Sequence, residues 1–83
     1  MKHLIVEQTL TRPLTDEEHD RAAKRLDPCL EKHGARWMRS YLAVDRLRLV
    51  CEFEADDAEA VRASFRSAGI EFERVWVAEV YAR

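Results

Sequence analysis

The devices by which small proteins most often advertise a function are scarce in this sequence. Its two cysteines, Cys29 and Cys51, are too far apart for a C-x-x-C pair, which excludes a zinc ribbon, a thioredoxin-like motif and a copper-chaperone loop and fits a reducing cytoplasm. No long apolar run is present near the start: Leu4-Ile5-Val6 reaches Glu7 after three residues, too short for a signal-peptide core or a membrane span. Glycine is rare, and Thr11-Arg12-Pro13 after the first apolar run is no phosphate-cradling loop of the acylphosphatase kind. Neither charge sign dominates, since 14 Lys and Arg face 16 Asp and Glu for a net charge of -2. Without clustered positive charge, nucleic acid and anionic membranes are not the expected partners.

What is present is punctuation. A chain of 83 residues makes one domain, residues 1–83, close to the size at which burial only just offsets conformational entropy, so self-association is a natural source of further burial. His3 to Leu10 reads as a first strand with one better-buried face. Thr15-Asp16-Glu17-Glu18 is a capping box that starts a helix, in which Ala22, Ala23, Leu26 and Leu30 continue an apolar stripe. Pro28 predicts a break, with Asp27 capping a second short helical piece that ends at Gly34.

Arg36 to Val44 and Arg46 to Ala55 then read as two strands around a turn at Asp45. In the second of these, Leu47, Leu49, Cys51 and Phe53 form a period-two apolar face. Asp56-Asp57-Ala58-Glu59 caps a second helix with Val61, Phe65 and Ala68 on its apolar side and Gly69 at its end. Ile70 to Tyr81 supplies a last strand, strongest from Arg74. The order βαββαβ, with right-handed crossovers, predicts an α+β ferredoxin-like sandwich: a four-stranded antiparallel sheet with both helices on one face.

The block Trp37-x-x-Ser40-Tyr41, Asp45, Cys51-x-x-x-Ala55, followed by the capped helix ending Ala68-Gly69, resembles a family of small ferredoxin-like proteins of unknown function. That family includes a nickel-binding, nickel-responsive member. The likeness extends from Ile5-Val6-Glu7 to Arg74-Val75. It implies a ferredoxin-like, dimeric domain and points to nickel; it matches the scaffold and carries over no ligand residue by residue.

Alternation divides the residues between the covered and open faces of the sheet. Leu4, Val6 and the Leu47 to Phe53 series point to the helices. His3, Ile5, Glu7 and Thr9, with Arg48, Val50, Glu52 and Glu54, take the open face, joined by Trp37, Arg39 and Tyr41 and by Val75, Val77, Glu79 and Tyr81. Cross-strand ion pairs of Glu7 or Glu52 with Arg39 or Arg48 are the simplest use of such a face. A pocket closed by a second copy is the richer one, with Glu7, Arg39, Tyr41, Arg48 and Glu52 as its polar contacts. Ile5, Trp37, Val50 and Tyr41 would be an exposed apolar patch in a monomer, which predicts a homodimer through the open face.

For a metal, imidazole and carboxylate donors suit nickel or zinc, and His3, Glu7 and Glu52 are the candidates. His3 and Glu7 are about 13 Å apart along one strand and need a neighbouring strand or subunit to share an ion. His19 and His33 read as helix-end and solvated residues. Cys51 reads as a small buried hydrophobe, and Cys29 at the expected break has no clear partner.

Three readings follow: a small cytoplasmic dimer binding a divalent metal or small molecule; a cofactor-free dimeric α+β barrel enzyme of isomerase or oxygenase type, with Glu7 or Glu52 as base and Arg39 or Arg48 holding an anion; and a purely structural dimerisation module. An RNA-recognition domain is not among them, because Arg48, Val50, Glu52 and Glu54 offer no stacking aromatics.

Overall fold

A computed structural model describes residues 1–83. Six elements follow in the expected order: β1 (Lys2–Thr9), α1 (Asp16–Lys32), β2 (Arg36–Leu42), β3 (Arg48–Ala55), α2 (Ala58–Ala68) and β4 (Arg74–Ala78). They form one antiparallel sheet in the order β2-β3-β1-β4, the ferredoxin-like arrangement in which the two βαβ halves interleave.

Both capping predictions describe the helix starts. Thr15 accepts from the Glu18 N–H, and the Glu18 side chain reaches back to the Thr15 N–H. Asp57 caps α2 by accepting from the Ala60 N–H. Gly69 ends that helix at φ 69°, the left-handed geometry in which an added Cβ is strained.

The core lies between the helices and one side of the sheet. Leu4 and Val6 of β1 and Leu49, Cys51, Phe53 and Ala55 of β3 meet Leu26 and Leu30 of α1 and Val61 and Phe65 of α2. Phe53 and Phe65 pack edge to face with ring centroids 5.7 Å apart, a favoured aromatic geometry. Ser64 is fully buried, and its hydroxyl reaches Ala60 O at 2.8 Å and Cys29 O of α1 at 3.2 Å, tying the two helices together.

Four local expectations are corrected. Pro28 does not divide α1, which runs unbroken through Lys32 with Asp27 exposed inside it. Lys24 and Pro28 both face solvent, so water can take the carbonyl that the proline leaves without a donor. Leu26 and Leu30, buried on either side, hold the two halves on one face, and two such burials can offset a proline cost of about 3 kcal/mol. The β2–β3 turn is wider than a turn at Asp45: β2 stops at Leu42 and β3 starts at Arg48. Asp45 accepts from the Leu47 N–H, and Arg46 adopts φ 65°.

Trp37 faces the helices instead of the open side. Its neighbour across the ladder is the inward Phe53, and Arg39 then pairs with the outward Glu52, leaving Met38 as the extra residue of a β-bulge. Finally, β4 has the opposite phase to the one expected. Val75 and Val77 lie across from inward Val6 and Leu4, so Arg74 and Trp76 take the open face beside Glu7 and Ile5. Glu79 and Tyr81 lie beyond the ladder.

Candidate functional site

The bulge explains the Trp37-x-x-Ser40 spacing. Residues three apart on a regular strand point to opposite faces, but the extra residue at Met38 turns both inward. There the Trp37 indole N–H donates to Ser40 Oγ at 2.9 Å, and the Ser40 hydroxyl donates to Cys51 Sγ at 3.0 Å. An indole can only donate, so the direction of the chain is set at Trp37. Burial pushes the Cys51 thiol up, against a smaller opposing effect of the Ser40 hydroxyl, and Cys51 is the inert core thiol expected. His19 is more than a solvated helix residue: it packs edge-on against Trp37 with centroids 5.7 Å apart. The motif is therefore a device for holding β2 on the core.

The open face carries the polar chemistry. His3 Nε2 lies 2.8 Å from Glu52 Oε2, diagonally across the β1–β3 ladder and two residues along from its direct partner Glu54. Their side chains are 19% and 15% exposed, so the pair is partly shielded from water. Arg39 Nε stands 3.7 Å from the same carboxylate oxygen. Hydrogen bonding from the Tyr41 phenol, then from His3, holds the Glu52 carboxyl below its usual range, and the same contact with Glu52 raises the Tyr41 phenol above its own.

Glu7 is held separately. It accepts from Trp76 Nε1 at 2.7 Å and Arg48 Nη2 at 3.3 Å, with Arg74 Nε at 3.8 Å. Of the residues proposed from sequence as metal donors, the fold thus brings His3 and Glu52 together and places Glu7 in another group of contacts. Of the proposed pocket, Arg39, Tyr41 and Glu52 form one cluster, and Arg48 and Glu7 a second. Arg74 and Trp76 were missed because Val75, Trp76 and Val77 are all apolar, which hides the phase of the strand.

The apolar patch also differs from the expected set. Ile5 is buried on the open face and Trp37 lies on the other side, whereas Tyr41, Trp76, Val80 and Tyr81 are the exposed large apolar residues of this region. Trp76 and the segment after β4 border an open depression of about 620 Å³ whose floor holds His3, Ile5 and Glu52; no Lys or Arg lines it, and Glu79 adds a second carboxylate at its wall. A depression of about 670 Å³ at the opposite end of β1 contains Gln8, Thr9, Arg25, Glu71 and Glu73 but no pair like His3–Glu52.

As a metal centre, the site offers two donors of suitable chemistry. Two ligands at right angles around an ion at about 2.1 Å are about 3 Å apart, close to the 2.8 Å between His3 Nε2 and Glu52 Oε2. The chain holds no group of three or more His, Cys, Asp or Glu side chains able to bind an ion, so by itself it does not complete a coordination shell.

None of the curated proteins matches the sequence. Among solved structures, the crystal structure of SCO4226 from Streptomyces coelicolor A3(2) superposes with a TM-score of 0.86, covering 96% of this chain and 99% of that one at 15% identity; at that identity the likeness establishes the fold. The family model described as nickel-responsive protein, SCO4226-like, matches residues 4–77. Since that span includes all but the outermost residues, the chain belongs to the nickel-responsive SCO4226-like family.

Proposed function

We propose that this protein is a binding module for a divalent metal ion, with nickel the first candidate and zinc the second, and that His3 and Glu52 are its donors on the open sheet face. The observation that carries this reading is the half-buried His3–Glu52 pair at 2.8 Å, on the floor of a depression lined by two carboxylates and by aromatic rings, with Arg39 Nε 3.7 Å from the same Glu52 oxygen. Such a lining favours a cation. The family's description as nickel-responsive agrees with it.

The remaining coordination positions fall to water or to a second copy of the chain. A homodimer through the open face covers Tyr41 and Trp76, which are 55% and 44% exposed, and adds burial that a chain of this size lacks. Two free cysteines support the reading of a reducing compartment such as the cytoplasm; no helix is long and apolar enough to cross a membrane.

The enzyme reading is weaker on the same geometry. A general base works best with a pKa near the working pH, and Glu52 is held below the usual carboxylate range by Tyr41 and His3. Glu7 is engaged by Trp76 and Arg48.

Calorimetric titration of tag-free protein with nickel and zinc tests the proposal. Binding that disappears in His3→Ala and Glu52→Gln and survives in Glu7→Gln is the expected result. Undiminished binding in the first two variants overturns the placement of the site, and no binding by the folded chain overturns the metal reading.

A further inference from the structure

The two carboxylates of the open face have matching surroundings, and the register shows why. β1 and β3 pair Ile5 with Glu52 and Glu7 with Val50, so half a turn about an axis normal to the sheet, between these strands, exchanges Glu7 with Glu52 and Ile5 with Val50. The edge strands obey the same rotation. Trp76 lies opposite Ile5 and Arg74 opposite Glu7, as Tyr41 lies opposite Val50 and Arg39 opposite Glu52.

The contacts repeat as well as the positions. Arg39 stands 3.7 Å from Glu52 and Arg74 stands 3.8 Å from Glu7. Each carboxylate also has the edge-strand aromatic beside it: Trp76 Nε1 donates to Glu7 Oε2 at 2.7 Å, and the Tyr41 phenol is near enough to Glu52 to hold its carboxyl below the usual range. Their side chains are 15% and 17% exposed. The third contact is where the halves diverge: the rotation carries His3, opposite Glu54, onto Arg48, opposite Thr9.

We infer that the open face holds two copies of one carboxylate site, and that Arg48 is the specificity-determining residue that fills the second copy with its own guanidinium. This rests on the metal reading of the Glu52 site. An imidazole nitrogen that gives up its proton has a lone pair for an ion, whereas a guanidinium has five N–H donors, no lone pair and no deprotonated form in a protein. Each carboxylate has one edge-strand arginine beside it, Arg39 or Arg74; Arg48 gives Glu7 a second permanent positive charge, where Glu52 has an imidazole. Arg48 lies 3.3 Å from Glu7 Oε1, while Trp76 holds Oε2. Removing the guanidinium therefore frees one oxygen while the other stays anchored.

The experiment is a gain of binding. The unchanged protein, Arg48→His and the exchange variant carrying both His3→Arg and Arg48→His are titrated with nickel by calorimetry, and thermal unfolding checks that each is folded. Arg48→His should double the number of ions bound per chain. The exchange variant should bind as many as the unchanged protein, but lose them on Glu7→Gln in place of Glu52→Gln. If folded Arg48→His binds no more than the unchanged protein, or if binding by the exchange variant still depends on Glu52, the inference is overturned while the metal reading stands. If the unchanged protein binds none, the metal reading fails and the inference with it.

Discussion

Ser40 is small, half-buried and bonded on both sides, to the Trp37 indole and to Cys51 Sγ. Ser40→Ala removes the acceptor of a part-buried N–H and should destabilise the protein by about 1–3 kcal/mol, the cost of leaving such a donor unpaired; urea unfolding measures it. Acid titration probes a second set of residues. Glu52, Glu18 and Glu73 are all lowered, Glu52 first by Tyr41, Glu18 by the Thr15 backbone and Glu73 by the Thr9 hydroxyl. A carboxyl that is more acidic folded than unfolded contributes stability that is complete above the unfolded value and lost as pH falls through the folded one. Stability should therefore be level near neutrality and decline below about pH 4.5, with a smaller decline in Glu52→Gln. An equal decline in that variant would show that Glu52 carries none of it.

Among elements, α1 is the one that departs most from local preference. Proline inside a helix costs about 3 kcal/mol relative to alanine, and Pro28 remains only because Leu26 and Leu30 are buried on either side. Pro28→Ala should stabilise the chain, by about 1–3 kcal/mol once the greater freedom of the unfolded state is subtracted; chemical denaturation that shows a loss would mean that Pro28 shapes the helix in a way its exposure does not suggest. The strands show the same competition between local pattern and packing. In β3 the alternation of Leu49, Cys51 and Phe53 with Arg48, Val50 and Glu52 was legible, because polar and apolar residues take turns. In β2 the bulge at Met38 was not, since Trp37 and Arg39 share parity in the sequence and only the pull of Trp37 toward Phe53 and His19 separates them.

For the whole molecule, the open face poses the question of assembly. Tyr41→Glu with Trp76→Glu places charge where the proposed homodimer buries aromatic rings, and should give a folded monomer by light scattering and analytical ultracentrifugation. A dimer that persists would move the interface to another surface. The parts of the candidate site were visible as residue types: His3, Glu7, Arg39, Tyr41, Arg48 and Glu52 were all assigned to the open face from alternation. Their grouping was not, because a strand pattern says which side a residue faces and nothing about its neighbour on the next strand.

Local order therefore settled the element sequence, both helix starts and most of the sheet's two faces, because capping, periodicity and turn chemistry act within a few residues of chain. Register and long-range burial decided the rest. They kept α1 whole, turned Trp37 inward, turned Trp76 outward, and set His3 against Glu52 and Arg48 against Glu7. These outcomes depend on contacts between residues tens of positions apart, whose energies exceed the local preferences they override.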